Sequence, residues 1–203
     1  MTDWRVYLVT DTALCGTRGV PVVVEQAVAG GATVVQVRDP AASARELVAL
    51  TRAVLAAVAG RVPVLVNDRV DVALAAGADG VHVGQSDLDA VSVRAMAPHL
   101  VVGLSVTTVA EAIAAQELPV DYLGAGPVFA TPTKPDAAPA IGLGGLTAIC
   151  AASTLPVVAI GGLTAGHCAD VRRAGAAGVC VVSAVCAADD ARAATAELVA
   201  AWS

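Results

Sequence analysis

The feature that most constrains this chain is an alternation that runs from end to end. Short apolar runs at residues 6–9, 34–37, 64–66, 80–83, 101–103, 122–124, 157–160 and 178–182 read as buried strands. Helical patterns separate them at 22–29, 44–59, 70–76, 88–97, 108–115, 143–152, 165–174 and 190–201. Strands joined through a helix must be parallel, and the crossover is right-handed. Eight such units in 203 residues close naturally into an α/β (β/α)8 TIM barrel, expected as a single domain over 1–203. An open doubly wound sheet is the alternative, but no GxGxxG follows the first strand. Gly-Ala pairs at Gly31-Ala32, Gly77-Ala78 and Gly175-Ala176 precede strands and fit helix C-caps.

Composition agrees with strands buried on both faces: 57% of residues are hydrophobic and 15% charged. No apolar run approaches the ~18 residues of a membrane span, and MTDWRVYLVTD enters a strand without a signal-peptide layout. The five cysteines, Cys15, Cys150, Cys168, Cys180 and Cys186, show no CxxC spacing. That predicts reduced thiols and a cytoplasmic location rather than a zinc site or a disulfide frame. A net charge of −6 disfavours nucleic acid or an anionic membrane as partner. Whether the chain forms a homo-oligomer stays open.

In such a barrel, chemistry belongs to the loops after the C-terminal ends of the strands. The segment VPVLVNDRVDVALAAGADGVHVGQSD puts Asp68 and Asp87 after consecutive strands. Neighbouring strands lie ~5 Å apart, so the two carboxylates suit one shared Mg²⁺, a cation that completes its shell with water and substrate phosphate. The other reading makes both acids helix N-caps. Gln36 and Arg38 alternate on one strand face, and an inward arginine needs either an anion or an internal ion pair. The longest loop, AGPVFATPTKPDAAPAIG, carries four prolines, two threonines and Lys134, the only lysine in the chain. Asn67 is the only asparagine and Phe129 the only phenylalanine, so rare residue types gather in the segments already suspected. Gly161-Gly162 and Val182-Ser183-Ala184 follow strands seven and eight, where such barrels bind phosphate through backbone N–H groups. Each of these segments alone also fits an ordinary tight turn. Ser105 lacks a His–Asp pair for nucleophilic work, and His82, alternating with valines, reads as a satisfied core histidine. His99 and His167 read as surface residues, and nothing resembles a strong general acid–base pair.

Taken together, YLVTD, VVQVRD, VNDRVDVALAAGADGVHVGQSD, GLS, DYLGAGPVFATPTKPDA, PVVAIGGL and GVCVVSA resemble the thiamine-phosphate synthase family over nearly the whole chain. The resemblance implies a (β/α)8 transferase that joins a pyrimidine diphosphate to a thiazole phosphate with Mg²⁺, releasing pyrophosphate. It implies that Gln36, Arg38, Asn67 and Ser105 meet the pyrimidine substrate and that Asp68 and Asp87 bind Mg²⁺. Thr131, Pro132, Thr133 and Lys134 would meet the thiazole substrate and the diphosphate, with Arg38 and Lys134 catalytic. Gly162, Val182 and Ser183 would hold the thiazole phosphate. The family pattern carries lysine where this chain has Pro40, which implies one fewer diphosphate contact unless Arg45 or Arg18 replaces it. Two related readings stay open at this level: a thiazole tautomerase-like isomerase, and a noncatalytic binder of thiamine precursors. The thiazole could also arrive as its carboxylated tautomer.

Overall fold

A computed structural model describes residues 2–131, 133 and 138–203. Eight parallel strands close a barrel in sequential order. They are β1 (Val6–Val9), β2 (Val34–Val37), β3 (Val64–Asn67), β4 (Gly80–Val83), β5 (Val101–Val106), β6 (Tyr122–Ala125), β7 (Val157–Ile160) and β8 (Gly178–Val181). Closure runs from β1 to β8 with Tyr7 opposite Cys180. The expected strands are all present. β3 runs one residue further than expected, β6 one and β5 three, so that Asn67 and Ser105 lie within strands rather than after them; β8 ends one residue earlier than expected, at Val181.

Helices form the outer ring, chiefly α2 (Val20–Ala29), α3 (Ala44–Val58), α4 (Val70–Ala76), α5 (Ala90–Met96), α6 (Val109–Ala114), α7 (Gly142–Ala152), α8 (Cys168–Arg173) and α10 (Ala191–Trp202). Two four-residue helices fall outside the sequence expectation, α1 (Thr12–Cys15) and α9 (Ser183–Cys186). Local chemistry sets many of the helix starts. Ser43 with Glu46, and Thr108 with Glu111, form reciprocal capping boxes for α3 and α6. Gly77 caps α4 in the left-handed region, whereas Gly31 and Gly175 stand one residue past their caps, also with positive φ.

Two apolar regions result, as a closed parallel sheet requires. Strand residues of one parity pack outward against the helices. Those of the other parity fill the barrel: Tyr7, Val9, Val34, Leu65, Tyr122, Val158 and Cys180, with Trp4 packed among them from just ahead of β1. Trp4 stacks on the ring of Tyr122 at a centroid distance of 4.1 Å. Both tyrosines of the chain thus lie inside the barrel, fully buried.

Such large rings fit because β5 and β6 give way. A Cβ on Gly103 would overlap the rings of Tyr122 and His82, and one on Gly124 would stand 2.8 Å from His82 Cε1. Gly144, on the exposed side of α7, has open space instead. Gly103→Ala should therefore cost about 1–3 kcal/mol through overpacking, lowering Tm by several degrees in thermal unfolding followed by circular dichroism. Gly144→Ala should raise stability by about 0.5–1 kcal/mol through helix propensity. Equal melting of the two variants would contradict this account of the barrel interior.

Candidate functional site

The mouth at the C-terminal ends of the strands gathers most of the residues singled out above. Asn67 ends β3 and donates from Nδ2 to Asp68 Oδ2 at 2.6 Å. Asp68 has φ of +59°, a left-handed conformation uncommon for a residue with a Cβ. Its N–H is tied to His82 O at 2.8 Å, so the backbone bond to β4 holds the unusual turn. Past the end of the neighbouring strand β4, Asp87 Oδ2 accepts from Gly84 N at 2.7 Å.

Neither acid caps a helix. Arg69 occupies the N-cap of α4 without a side-chain bond, and Asp89 caps α5 by accepting from Ser92 N. The cap reading fails for both acids. What remains is two carboxylates at the ends of adjacent strands, each oriented by a local hydrogen bond, one on a strained backbone. Among the described residues no group of three or more His, Cys, Asp or Glu side chains is placed to enclose a metal. Two hard carboxylates without an enclosing protein cage fit Mg²⁺, which keeps waters and phosphate oxygens as its other ligands.

Arg38 stands at the end of β2, half-buried, with its N–H donating to Thr10 Oγ1 at 3.0 Å. The ion pairs among the described residues are Arg5–Asp3, Arg69–Asp71, Arg94–Asp121 and Arg173–Asp170. None involves Arg38, so the internal ion-pair reading is not supported and an anion is the natural partner of its fork.

The next residues explain Pro40. Ala42 N donates to Asp39 O at 3.3 Å, and Ala41 N to Asp39 Oδ1 at 3.1 Å. This is a tight turn with proline at its second position, where a fixed φ is favourable. Arg18 is no substitute for the missing lysine. Its guanidinium is spent on the carbonyls of Ala188 at 2.5 Å and Cys186 at 2.7 Å, just beyond and at the end of α9. Arg45 is exposed on α3, lining a groove against Asp71, Val72 and Ala75 of α4.

The long loop after β6 begins as a stalk. Val128 N donates to Ile160 O at 2.8 Å and Phe129 N to Gly161 O at 3.0 Å. Its far end returns, with Ile141 N on Pro127 O and Gly142 N on Val128 O. The two ends of the loop are thus held together at its base. Thr131 Oγ1 accepts from Thr133 N at 3.3 Å; Pro132 and Lys134 lie outside the described residues.

Gly162, at φ +65°, sits under this loop, where an added Cβ would come within 2.8 Å of Ala130 O. Directly after β8, Val182 precedes α9, whose first turn beginning at Ser183 has no side-chain cap. Loops six, seven and eight are thus neighbours, with backbone N–H groups at their base. His167, expected at the surface, is half-buried. Its Nδ1 accepts from Thr164 N at 3.1 Å, and its ring packs on Phe129 at 4.6 Å.

Sequence reasoning missed the floor of the site. His82 is indeed satisfied, with Nδ1 2.8 Å from Tyr122 OH and Nε2 2.9 Å from Ser105 Oγ. Tyr122 OH also meets Tyr7 OH at 2.9 Å, and Tyr7 OH accepts from Gln36 Nε2 at 2.7 Å. Burial pushes the pKa of both phenols far up, so each keeps its hydrogen. The signal was present: only two tyrosines occur in the chain, and both share strand parity with inward positions.

Comparison with known proteins agrees with this arrangement. The family model described as thiamine monophosphate synthase matches residues 6–185. A thiamine-phosphate synthase of Chloroflexus aurantiacus is 52% identical over 200 residues, covering 98% of this chain and 92% of the relative. Another, of Azorhizobium caulinodans, is 49% identical over 93% of this chain and 90% of its own length. Among solved structures, a thiamine phosphate pyrophosphorylase from Pyrococcus furiosus superposes with a TM-score of 0.90 at 37% identity, covering 98% of this chain and 96% of that one. A matched family model across most of the barrel, with near-full-length identity close to one half, is decisive: the chain belongs to the thiamine monophosphate synthase family of transferases.

Proposed function

We propose that this chain joins 4-amino-2-methyl-5-(diphosphooxymethyl)pyrimidine to 4-methyl-5-(2-phosphooxyethyl)thiazole, giving thiamine monophosphate and pyrophosphate, or to the carboxylated tautomer of that thiazole, which loses its carboxyl group as CO2 as well. The observation that carries this reading is the 52% identity to a thiamine-phosphate synthase over 98% of the chain. The bond between the pyrimidine methylene and the diphosphate oxygen breaks, and its electron pair leaves with pyrophosphate. The amino-substituted ring stabilises the resulting methylene cation, and the thiazole nitrogen lone pair forms the new C–N bond. With the uncarboxylated thiazole no proton has to move in these steps. A site with cations and oriented dipoles, but without a strong acid–base pair, is suited to such chemistry.

In this reading Arg38 grips the diphosphate with its fork, and Lys134 brings a second cation to the leaving group. Gln36, Asn67 and Ser105 hold the pyrimidine. Thr131, Pro132 and Thr133 position the thiazole substrate and diphosphate from the loop, while Gly162, Val182 and Ser183 hold the thiazole phosphate. Asp68 and Asp87 would bind Mg²⁺, which when present neutralises charge on the departing pyrophosphate. A cytoplasmic enzyme on small soluble substrates is the matching setting.

The direct test mixes both substrates with and without Mg²⁺ and follows pyrophosphate and thiamine monophosphate. Mg²⁺-dependent formation of both products is expected; product-free binding would defeat the proposal. Variants then separate the roles. Asp87→Ala should raise the Mg²⁺ concentration for half-maximal rate without loss of fold. Asp68→Gly and Asp68→Val should both lose most activity, yet Asp68→Val should be less stable than Asp68→Gly by about 1–2 kcal/mol. Only glycine relieves the left-handed backbone. If Asp68→Gly keeps full activity, that carboxylate binds no metal.

Lys134→Ala should cut the rate by orders of magnitude while stability stays within ~0.5 kcal/mol, as for ordinary surface changes. Lys134→Arg should restore part of the rate, because a point charge and a planar fork differ in geometry. Full activity in Lys134→Ala would remove its catalytic assignment.

Pro40→Lys should lower KM for the pyrimidine diphosphate by about one decade, the worth of a charge-assisted phosphate contact. It should also cost about 0.4–1 kcal/mol of stability, since proline stiffens the turn. An unchanged KM, with Arg45→Ala damaging instead, would assign the compensating charge to Arg45.

A further inference from the structure

Below the mouth, five polar side chains from five strands form an unbroken hydrogen-bonded chain across the barrel. It runs from Gln36 Nε2 to Tyr7 OH (2.7 Å), to Tyr122 OH (2.9 Å), to His82 Nδ1 (2.8 Å), and from His82 Nε2 to Ser105 Oγ (2.9 Å). Its two ends, Gln36 and Ser105, are the residues read above as contacts to the pyrimidine. Its three middle members have no part in that reading.

The count of hydrogens couples the ends. A phenol has one hydrogen to give, and a neutral imidazole has one N–H. If the Gln36 amide donates to Tyr7, then Tyr7 must donate to Tyr122 and Tyr122 to His82 Nδ1. His82 then carries its hydrogen on Nε2 and donates to Ser105 Oγ. Gln36 is left presenting its carbonyl oxygen, an acceptor, and Ser105 its hydroxyl hydrogen, a donor. Reversing the direction reverses every link. Ser105 then donates into the chain and offers a lone pair, while Tyr7 donates to the Gln36 carbonyl and the amide NH2 faces outward. A mixed direction leaves one buried link with two hydrogens or with none, which is costly at this depth. In both permitted states the two ends present one donor and one acceptor.

We propose that Tyr7, Tyr122 and His82 are positioning residues that lock Gln36 and Ser105 into complementary polarity, so that the site selects a heteroaromatic edge carrying an amino donor beside a ring-nitrogen acceptor. This inference rests on the reading of Gln36 and Ser105 as pyrimidine contacts. The surroundings favour a fixed chain over a loose polar core. Gly103 and Gly124 leave room for the rings of Tyr122 and His82, and Trp4 stacks beneath Tyr122. Both phenols are fully buried, so no solvent is at hand to satisfy a broken link.

The test compares wild type, Tyr122→Phe and Tyr7→Phe well below their melting temperatures. Either phenylalanine keeps the ring and cuts the chain. Each should raise KM for the aminopyrimidine diphosphate about tenfold, with KM for the thiazole phosphate within about twofold. A second probe is the same pyrimidine diphosphate without its amino group, used as a competitive inhibitor. Wild type should prefer the amino compound, and each variant should lose about tenfold of that preference. The double variant should lose no more than either single one, because one cut already uncouples the ends. Lower Tm with unchanged KM and preference would mean the chain is only structural, and the proposal falls. Gln36→Ala and Ser105→Ala identify the level of failure. If they too leave KM and preference unchanged, the assignment of the ends is wrong; if they change both while the phenylalanine variants do not, the relay alone is wrong. Should one phenylalanine variant not fold, the other cuts the chain at a neighbouring link.

Discussion

Everything in this molecule depends on the closed volume inside eight parallel strands. A closed sheet has no edge, so each strand buries both faces, and the inner face must be filled by a fixed, small number of side chains. This chain fills it with few large groups, Trp4, Tyr7, Tyr122 and Leu65, set against glycines at 103 and 124. An interior of aliphatic residues alone would be equally dense. The choice of phenols, an imidazole and an amide instead gives the floor of the mouth a direction. That choice imposes a condition, since each polar atom placed there must find a partner, and the chain from Gln36 to Ser105 meets it link by link.

Much of the barrel was legible because its period is strict. Four-residue apolar runs bounded by glycine and helical stretches have few other ways to bury themselves, and four of the eight strands have the expected start and end. Where boundaries moved, tertiary pairing decided. β5 extends to Val106 because Leu104, Ser105 and Val106 pair with Leu123, Gly124 and Ala125 of β6, which no local signal announces. The four-residue helices α1 and α9 were illegible for a similar reason. Such short turns have too little period to read, and α9 is held at its end by Arg18 from a distant part of the chain.

The site was legible as a set of residue types and less so as geometry. Two aspartates after consecutive strands could be read as caps or as ligands. Only the backbone separates the readings, through a left-handed Asp68 and caps supplied elsewhere. Arg38 could be an internal ion-pair member until the pairs among the described residues were known. Pro40 looked like a missing charge in the sequence; in the fold it is also the stiff corner of a turn that Asp39 closes with its own carbonyl and carboxylate. His82 was read correctly as satisfied, yet satisfaction proved to be the start of its interest rather than the end of it.

Strain and rigidity are divided between rim and floor in a way that suits a reaction without proton transfer. Charge separation needs groups whose positions do not relax as the leaving group departs, because reorganisation would consume the stabilisation they provide. At the rim, Asp68 is held in an uncommon conformation by a backbone bond to β4 and a side-chain bond from Asn67. On the floor, the phenols are locked between stacked rings and neighbouring strands. The long loop differs in kind. At its stalk it is tied by bonds to Ile160 and Gly161 on one side and from Ile141 and Gly142 on the other. The barrel supplies the rigidity of the floor, and the loop after β6 is joined to it through this stalk.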